Sequence, residues 1–276
     1  MRQLIFLLLI MSGSISAHAQ IAEDFNLWYT QPGDTLMVYA EKAYIRQEPS
    51  LQGTIADTLF TGAIVVAGND AGTPLRMKGM IAPWKEVSYG NGKKGYIWLG
   101  LLAIKHYTSN DLHVLYGIEK TLAATEEEPV NYLIRLKVVD KNQQVLDMKE
   151  WKVRGAEYAN ASEGKMLDGM GLENIQSIIR IYFSGEACGI PTDYYYFGWT
   201  GKQLLVLPGK TNVSDAGVFY SEETLLFPKE PGGQPGKIIK LLLTAEYGDD
   251  METVAKKTTS REIYLWDGTK AVKQPL

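Results

Sequence analysis

The feature that most constrains this chain is its cadence. Beyond the first residues it is a succession of short stretches rich in Val, Ile, Tyr and Trp, separated by clusters of Gly, Asn, Asp and Pro. Apolar residues at helical spacing are scarce, whereas period-2 alternation recurs, the mark of half-buried strands. Residues 130–139 show it best. Val130, Tyr132, Ile134, Leu136 and Val138 fall on one face of an extended segment, Arg135 and Lys137 on the other. The polar run Asp140-Lys141-Asn142-Gln143-Gln144 then reads as a turn into a second strand over residues 145–153, which predicts an antiparallel hairpin.

The same reading places strands over residues 175–183, 193–199, 203–207, 218–227, 237–247 and 261–266, and an evident loop over 228–236 around Pro231-Gly232-Gly233. Only residues 167–178 have room for a short helix, and their glycines oppose it. An all-β chain follows. One internal similarity stands out: Tyr196-Phe197-Gly198-Trp199-Thr200-Gly201-Lys202 and Ile263-Tyr264-Leu265-Trp266-Asp267-Gly268-Thr269-Lys270 both run aromatic strand, Trp, Gly turn, Lys. Two copies at this spacing leave a propeller as the alternative and a sandwich-like antiparallel domain as the preferred architecture. At 276 residues the chain accommodates one large or two modest domains. The break in the apolar pattern at Thr108-Ser109-Asn110-Asp111 sets the expected division, with one domain over residues 35–106 and a β-rich domain over 111–276.

The first of these carries the strongest motif. Ala43-Tyr44-Ile45-Arg46-Gln47-Glu48-Pro49-Ser50, then Gly53, residues 55–59 and Gly62, then Trp84-Lys85-Glu86-Val87, then Gly92-Lys93-Lys94-Gly95-Tyr96-Ile97-Trp98 and Leu101-Leu102 follow one another in order. This succession resembles the bacterial SH3-like domain, a small β-barrel, over about a quarter of the chain. Two departures alter the pattern: Glu48 stands where that family commonly has Gly, and residues 68–80 are inserted between its halves. The resemblance implies an association with cell-wall enzymes or surface proteins, and some members bind peptidoglycan peptides. Independently of the family, Ile45, Val65, Val87 and Ile97 supply the inner face of a small barrel, and Asn91-Gly92 favours a two-residue hairpin turn.

The candidate ligand-binding residues are aromatic. Tyr44, Trp84, Tyr96 and Trp98 could form a groove on which extended peptides or sugars stack, against the competing reading that at least two of them are core. In the second domain, alternation puts Tyr194 and Tyr196 on one face of a strand and Tyr195, Phe197 and Trp199 on the other. Such a strip is either an exposed glycan or protein contact or the middle of a sheet covered on both sides.

Met1-Arg2, the apolar run of residues 4–11 and Ala17-His18-Ala19 before Gln20 have the layout of a secretory signal peptide over residues 1–19. The run is too short for a membrane span, so an exported chain, periplasmic or extracellular, without membrane insertion after cleavage is expected. The net charge of −4, with no concentrated basic cluster, argues against nucleic acid. Cys188 is the only cysteine, so the core and not disulfides must hold the fold.

Catalytic constellations are sparse. Cys188 follows both His106 and His113 in the chain, the reverse of the order in the Cys-His peptidases that accompany such modules, and Glu186-Ala187-Cys188-Gly189 lacks their Asp-Cys pair. No Gly-x-Ser-x-Gly elbow is present. Zinc would need more His or Cys at close spacing. The acidic runs 126–128 and 249–252 lack an ordered calcium-loop pattern. No catalytic residue, metal or cofactor is assigned. The sequence predicts a noncatalytic binding protein contacting wall peptides, glycans or an envelope protein. A wall hydrolase using paired carboxylates of the second domain is the alternative, because their separation is decided only by folding.

Overall fold

The computed structural model describes residues 27–109, 111–185 and 187–275; the segment read as a signal peptide lies outside them. Among the described residues the chain is all-β, with every sheet antiparallel and no helix long and apolar enough to cross a membrane. Residues 169–176 form turns and not a helix, as their glycines predict.

The first sheet comprises β1 (Thr35–Met37), β2 (Lys42–Arg46), β3 (Ile55–Phe60), β4 (Ile64–Met77), β5 (Met80–Tyr89) and β6 (Lys93–Trp98), in the order β1-β4-β5-β6-β2-β3. It curls so that Ile45, Val65, Val87 and Ile97 are fully buried, as alternation requires. The inserted residues 68–80 lengthen the β4–β5 hairpin. Its turn, Lys78-Gly79, holds both residues at positive φ (54° and 81°), the geometry of a two-residue turn matched to strand twist. The next hairpin turns through three residues, Gly90-Asn91-Gly92, because Tyr89 pairs with Lys93; that is one residue more than Asn-Gly alone predicts.

The second sheet is a meander of β7 (Lys105–Ser109), β8 (Leu112–Leu122), β9 (Asn131–Asp140) and β10 (Val145–Arg154). The hairpin expected over residues 130–153 is β9–β10, in register from Val138–Asp147 to Asn131–Arg154, with a bulge between Val145 and Asp147. The segment expected to divide the chain is largely β7, which pairs with β8 from Lys105–Tyr116 to Ser109–Leu112. The third sheet is an eight-stranded meander: β11 (Ala161–Asp168), β12 (Ser177–Ser184), β13 (Thr192–Trp199), β14 (Leu204–Asp215), β15 (Phe219–Leu226), β16 (Lys237–Tyr247), β17 (Val254–Trp266) and β18 (Ala271–Lys273). Both aromatic-Trp-Gly repeats end in hairpin turns, between β13 and β14 and between β17 and β18, with Gly201 and Gly268 at positive φ (92° and 88°).

Packing is sandwich-like. Val114, Tyr116, Ile118, Tyr132, Ile134, Leu136 and Val138 of the second sheet meet Ile179, Ile181, Phe183, Phe197 and Trp199 of the third. That cluster runs without a break into the first sheet through Val87, Ile97, Trp98 and Leu102. A second cluster covers the opposite face of β12–β14: Ile178, Tyr196 and Leu207 lie against Leu225, Phe227, Ile238 and Trp266.

The other face of β8–β9 packs on the first module, around Met37, Tyr39, Ala103, Leu115 and Val139. Lys137 lies on this face, as alternation predicts, and it is only 2 % exposed. Its Nζ donates to the Tyr39 carbonyl at 2.7 Å and sits 4.5 Å from the centre of the Tyr39 ring. Burial, aided by the nearby Arg135 guanidinium, pushes the Lys137 ammonium down to about 8. The Tyr39 hydroxyl donates to Glu119 at 2.9 Å, and Arg135 bridges Glu119 and Glu150 at 3.1 and 2.6 Å. A buried cation is therefore solvated by backbone, ring and a short ion-pair chain.

Candidate functional site

A cleft lies where the edge strand β10 approaches β13 and β14. Two local irregularities open it. The β13–β14 ladder passes from Tyr194–Lys210 to Tyr196–Leu207, so that Tyr195 alone faces Pro208 and Gly209 across a bulge. A side chain at Gly209 would place its Cβ 2.7 Å from the Tyr194 carbonyl oxygen, so glycine is required there. Beyond the bulge, β14 pairs with β15 only from Val213–Ser221 to Asp215–Phe219. Side chains bridge the remaining gap: Thr211 N donates to Glu223 Oε2 at 2.7 Å, Glu223 N to Asn212 Oδ1 at 2.9 Å, and Lys210 Nζ to the Glu223 carbonyl at 3.0 Å.

The result is a groove of about 560 Å³, within the usual range for small-ligand sites. Trp151, Tyr195 and Phe197 form its aromatic side, with ring centres 5.6 Å apart for Trp151–Tyr195 and 4.8 Å for Trp151–Phe197. The buried Trp151 indole N–H has no hydrogen-bond partner among the described residues. Burial first, then the nearby Asp193 carboxylate, raises the Tyr195 hydroxyl well above its ordinary range, so it remains a neutral donor.

Charges on the rim compensate one another. Arg154 donates through Nε and Nη2 to Asp193 Oδ2 at 3.1 and 2.6 Å, while Asp193 Oδ1 accepts from Thr211 Oγ1 at 2.7 Å. Lys240 meets Glu223 at 3.1 Å. Lys210 sits 4.5 Å over the Tyr194 ring, and burial lowers its ammonium. Asp193 and Glu223 both bind Thr211 and Glu150 also lines the cleft, so three carboxylates share it, each already engaged with a cation.

Among the predicted aromatics, Trp84 and Trp98 are core residues at 3 % and 0 % exposure. The Trp98 indole donates to the carbonyls of Leu75 and Ala82 at 3.0 and 2.9 Å, so the inserted hairpin is what covers it. Tyr44 and Tyr96 stay at the surface on either side of Arg46, which pairs with Tyr96 across β2–β6 and lies 5.9 Å over the Tyr44 ring. The four therefore do not line one groove.

Tyr194 is half-buried, while Tyr196 is buried against Phe227 and its hydroxyl is pushed up to about 12 by burial. The Tyr-rich strand is thus covered on both faces, and the neighbours Tyr195 and Trp151 line the cleft. Trp151 had no sequence signal as a site residue, since a single Trp in an alternating strand reads as core.

No known family model, curated protein or solved structure matches this chain. Among the described residues no group of three His, Cys, Asp or Glu side chains is placed to hold a metal, and Cys188 is exposed and free.

Proposed function

We propose that this chain is an exported, noncatalytic binding protein of the cell envelope that takes a wall glycan in the groove between β10 and β13–β14. The observation that carries the reading is an aromatic wall of Trp151 and Tyr195 beside a rim on which Arg154 pairs with Asp193 and Lys240 with Glu223. A sugar ring offers apolar C–H faces to aromatics and neutral hydroxyls to such a rim, so it gains contacts without stranding a charge. The signal-peptide layout and the resemblance of residues 35–106 to SH3-like modules support an envelope setting.

A general acid must hand over a proton. Asp193 instead accepts from Arg154 and Thr211, and Glu223 from Lys240 and Thr211, which favours binding over hydrolysis. The test is co-sedimentation of the purified chain with insoluble peptidoglycan, beside a zymogram on the same material. Retention without clearing, weakened about tenfold by Trp151→Ala or Tyr195→Ala, is the expected result. Clearing would assign the hydrolase instead. Neither retention nor clearing would reject a wall ligand.

A further inference from the structure

We infer that the free edge of β17 is a docking site for an extended acidic segment of another protein, added as a further strand. β17 pairs with β16 along its length, from Val254 to Leu265, yet β18 covers its other side only from Tyr264 to Trp266. Gln274 N extends that cover to the Ile263 carbonyl at 2.8 Å. Residues 254–261 are exposed throughout. An edge this long, with its backbone groups unpaired among the described residues, is a ready template for strand addition.

Register fixes which groups face outward. The Ile263 carbonyl points towards β18, away from β16, and the β16–β17 register is unbroken from Leu265 back to Lys256. Backbone direction alternates along a strand, so the N–H and C=O of Lys257, Thr259 and Arg261 face the open side. The side chains of these same residues share one face of the sheet. There Arg261 is opposite Leu241 and Thr259 opposite Leu243, and together they border a shallow trough of about 580 Å³ whose far side carries Glu222, one strand beyond Leu243. Lys256 pairs with Glu246 on its neighbour strand, whereas Lys257 and Arg261 have no ion-pair partner among the described residues.

An incoming strand bonded to the backbone of 257, 259 and 261 would therefore present its own side chains on the trough face. Carboxylates four residues apart would meet Lys257 and Arg261. A large apolar residue midway would reach across Thr259 onto Leu243 and Leu241. A second copy of this chain is a poor occupant of this edge: two β17 strands paired about Thr259 would set Lys257 directly against Arg261, and like charges opposite one another destabilise a ladder. The charge pattern thus selects an acidic partner and turns away the chain itself.

The probe is a fluorescent peptide of sequence Thr-Glu-Thr-Phe-Thr-Glu-Thr, titrated by anisotropy against the full chain, with its Glu→Lys analogue as control. The acidic peptide is expected to bind and the lysine analogue to bind at least about tenfold more weakly. Lys257→Glu with Arg261→Glu should invert that order. Thr259→Pro, which removes one outward N–H at an edge position that tolerates proline, should abolish binding while leaving the far-ultraviolet circular dichroism unchanged. Should that variant fail to fold, a peptide N-methylated at alternate residues tests the same hydrogen bonds. The inference is overturned by no binding of the acidic peptide, by equal binding of both peptides, by binding that survives Thr259→Pro and N-methylation, or by a dimer in sedimentation that Thr259→Pro dissociates.

Discussion

Replacing Lys137 by methionine keeps the aliphatic stem of the side chain and removes its buried charge. In the folded chain the ammonium is held near 8, against an ordinary value near 10.5. Below pH 8 both folded and unfolded states carry the proton, and the folded state bears the full cost of burying it. As pH rises through 8 the folded state releases the proton first. The unfolded state then binds more protons, so the wild-type chain gains stability until about pH 10.5, where the unfolded lysine also deprotonates. The gain between pH 7 and 9.5 amounts to about 2 kcal/mol from this group.

The window must stop at 9.5 because Tyr39, raised by burial and by Glu119, acts with the opposite sign once unfolded tyrosines ionise near pH 10. The assay is urea unfolding followed by tryptophan fluorescence at half-unit pH steps. The difference between Lys137→Met and wild type should move by about 2 kcal/mol in favour of wild type across that window. At pH 7 the two should lie close together, since relief of the buried charge is offset by the Tyr39 carbonyl losing its donor, a loss of about 1–3 kcal/mol. Parallel pH profiles would refute the account, because Lys137 would then titrate like an exposed amine.

Other expectations follow from packing. Trp98→Ala should cost about 3–5 kcal/mol in urea unfolding, because it empties a fully buried site and strands the Leu75 and Ala82 carbonyls. Gly117→Ala would drive a methyl to 2.9 Å from the Tyr39 ring, so a loss of about 1–3 kcal/mol is expected in the same assay. Cys188→Ser should leave stability within about 0.5 kcal/mol of wild type, and the wild-type thiol should react with a maleimide without denaturant.

Alternation made the β9–β10 hairpin legible, because apolar residues recur at every second position on the face of β9 that meets the third sheet, and a glycine at positive φ soon after each Trp marked the turns at 199–201 and 266–268. β17 was read only over residues 261–266. Its first half, Val254-Ala255-Lys256-Lys257-Thr258-Thr259-Ser260, is exposed on both faces and so carries no apolar period. β7 was read as a break for a similar reason: Thr108 and Ser109 form the short outer strand of a meander, and polarity there marks an edge, not a linker.

The candidate site was half visible. The aromatic run of β13 pointed to the right strand, but the cleft depends on the bulge opposite Tyr195 and on the approach of β10. Both are consequences of pairing between distant segments. The burial of Lys137 was not legible because a polar face in one sheet became an interface once the first module settled on it.

The inserted β4–β5 hairpin ends in a clasp. The Lys78 carbonyl accepts the Thr121 amide at 2.9 Å, and Gly79 leaves room for the Thr121 side chain. Farther down the same hairpin, Leu75 anchors the Trp98 indole. A small sheet that closed a core of its own would be portable between proteins. Here its extension grips β8, and its apolar interior runs on into the sandwich. Grafted elsewhere or expressed alone, the module would bare its share of that common interior. The first sheet can be kept only together with the sheets it holds.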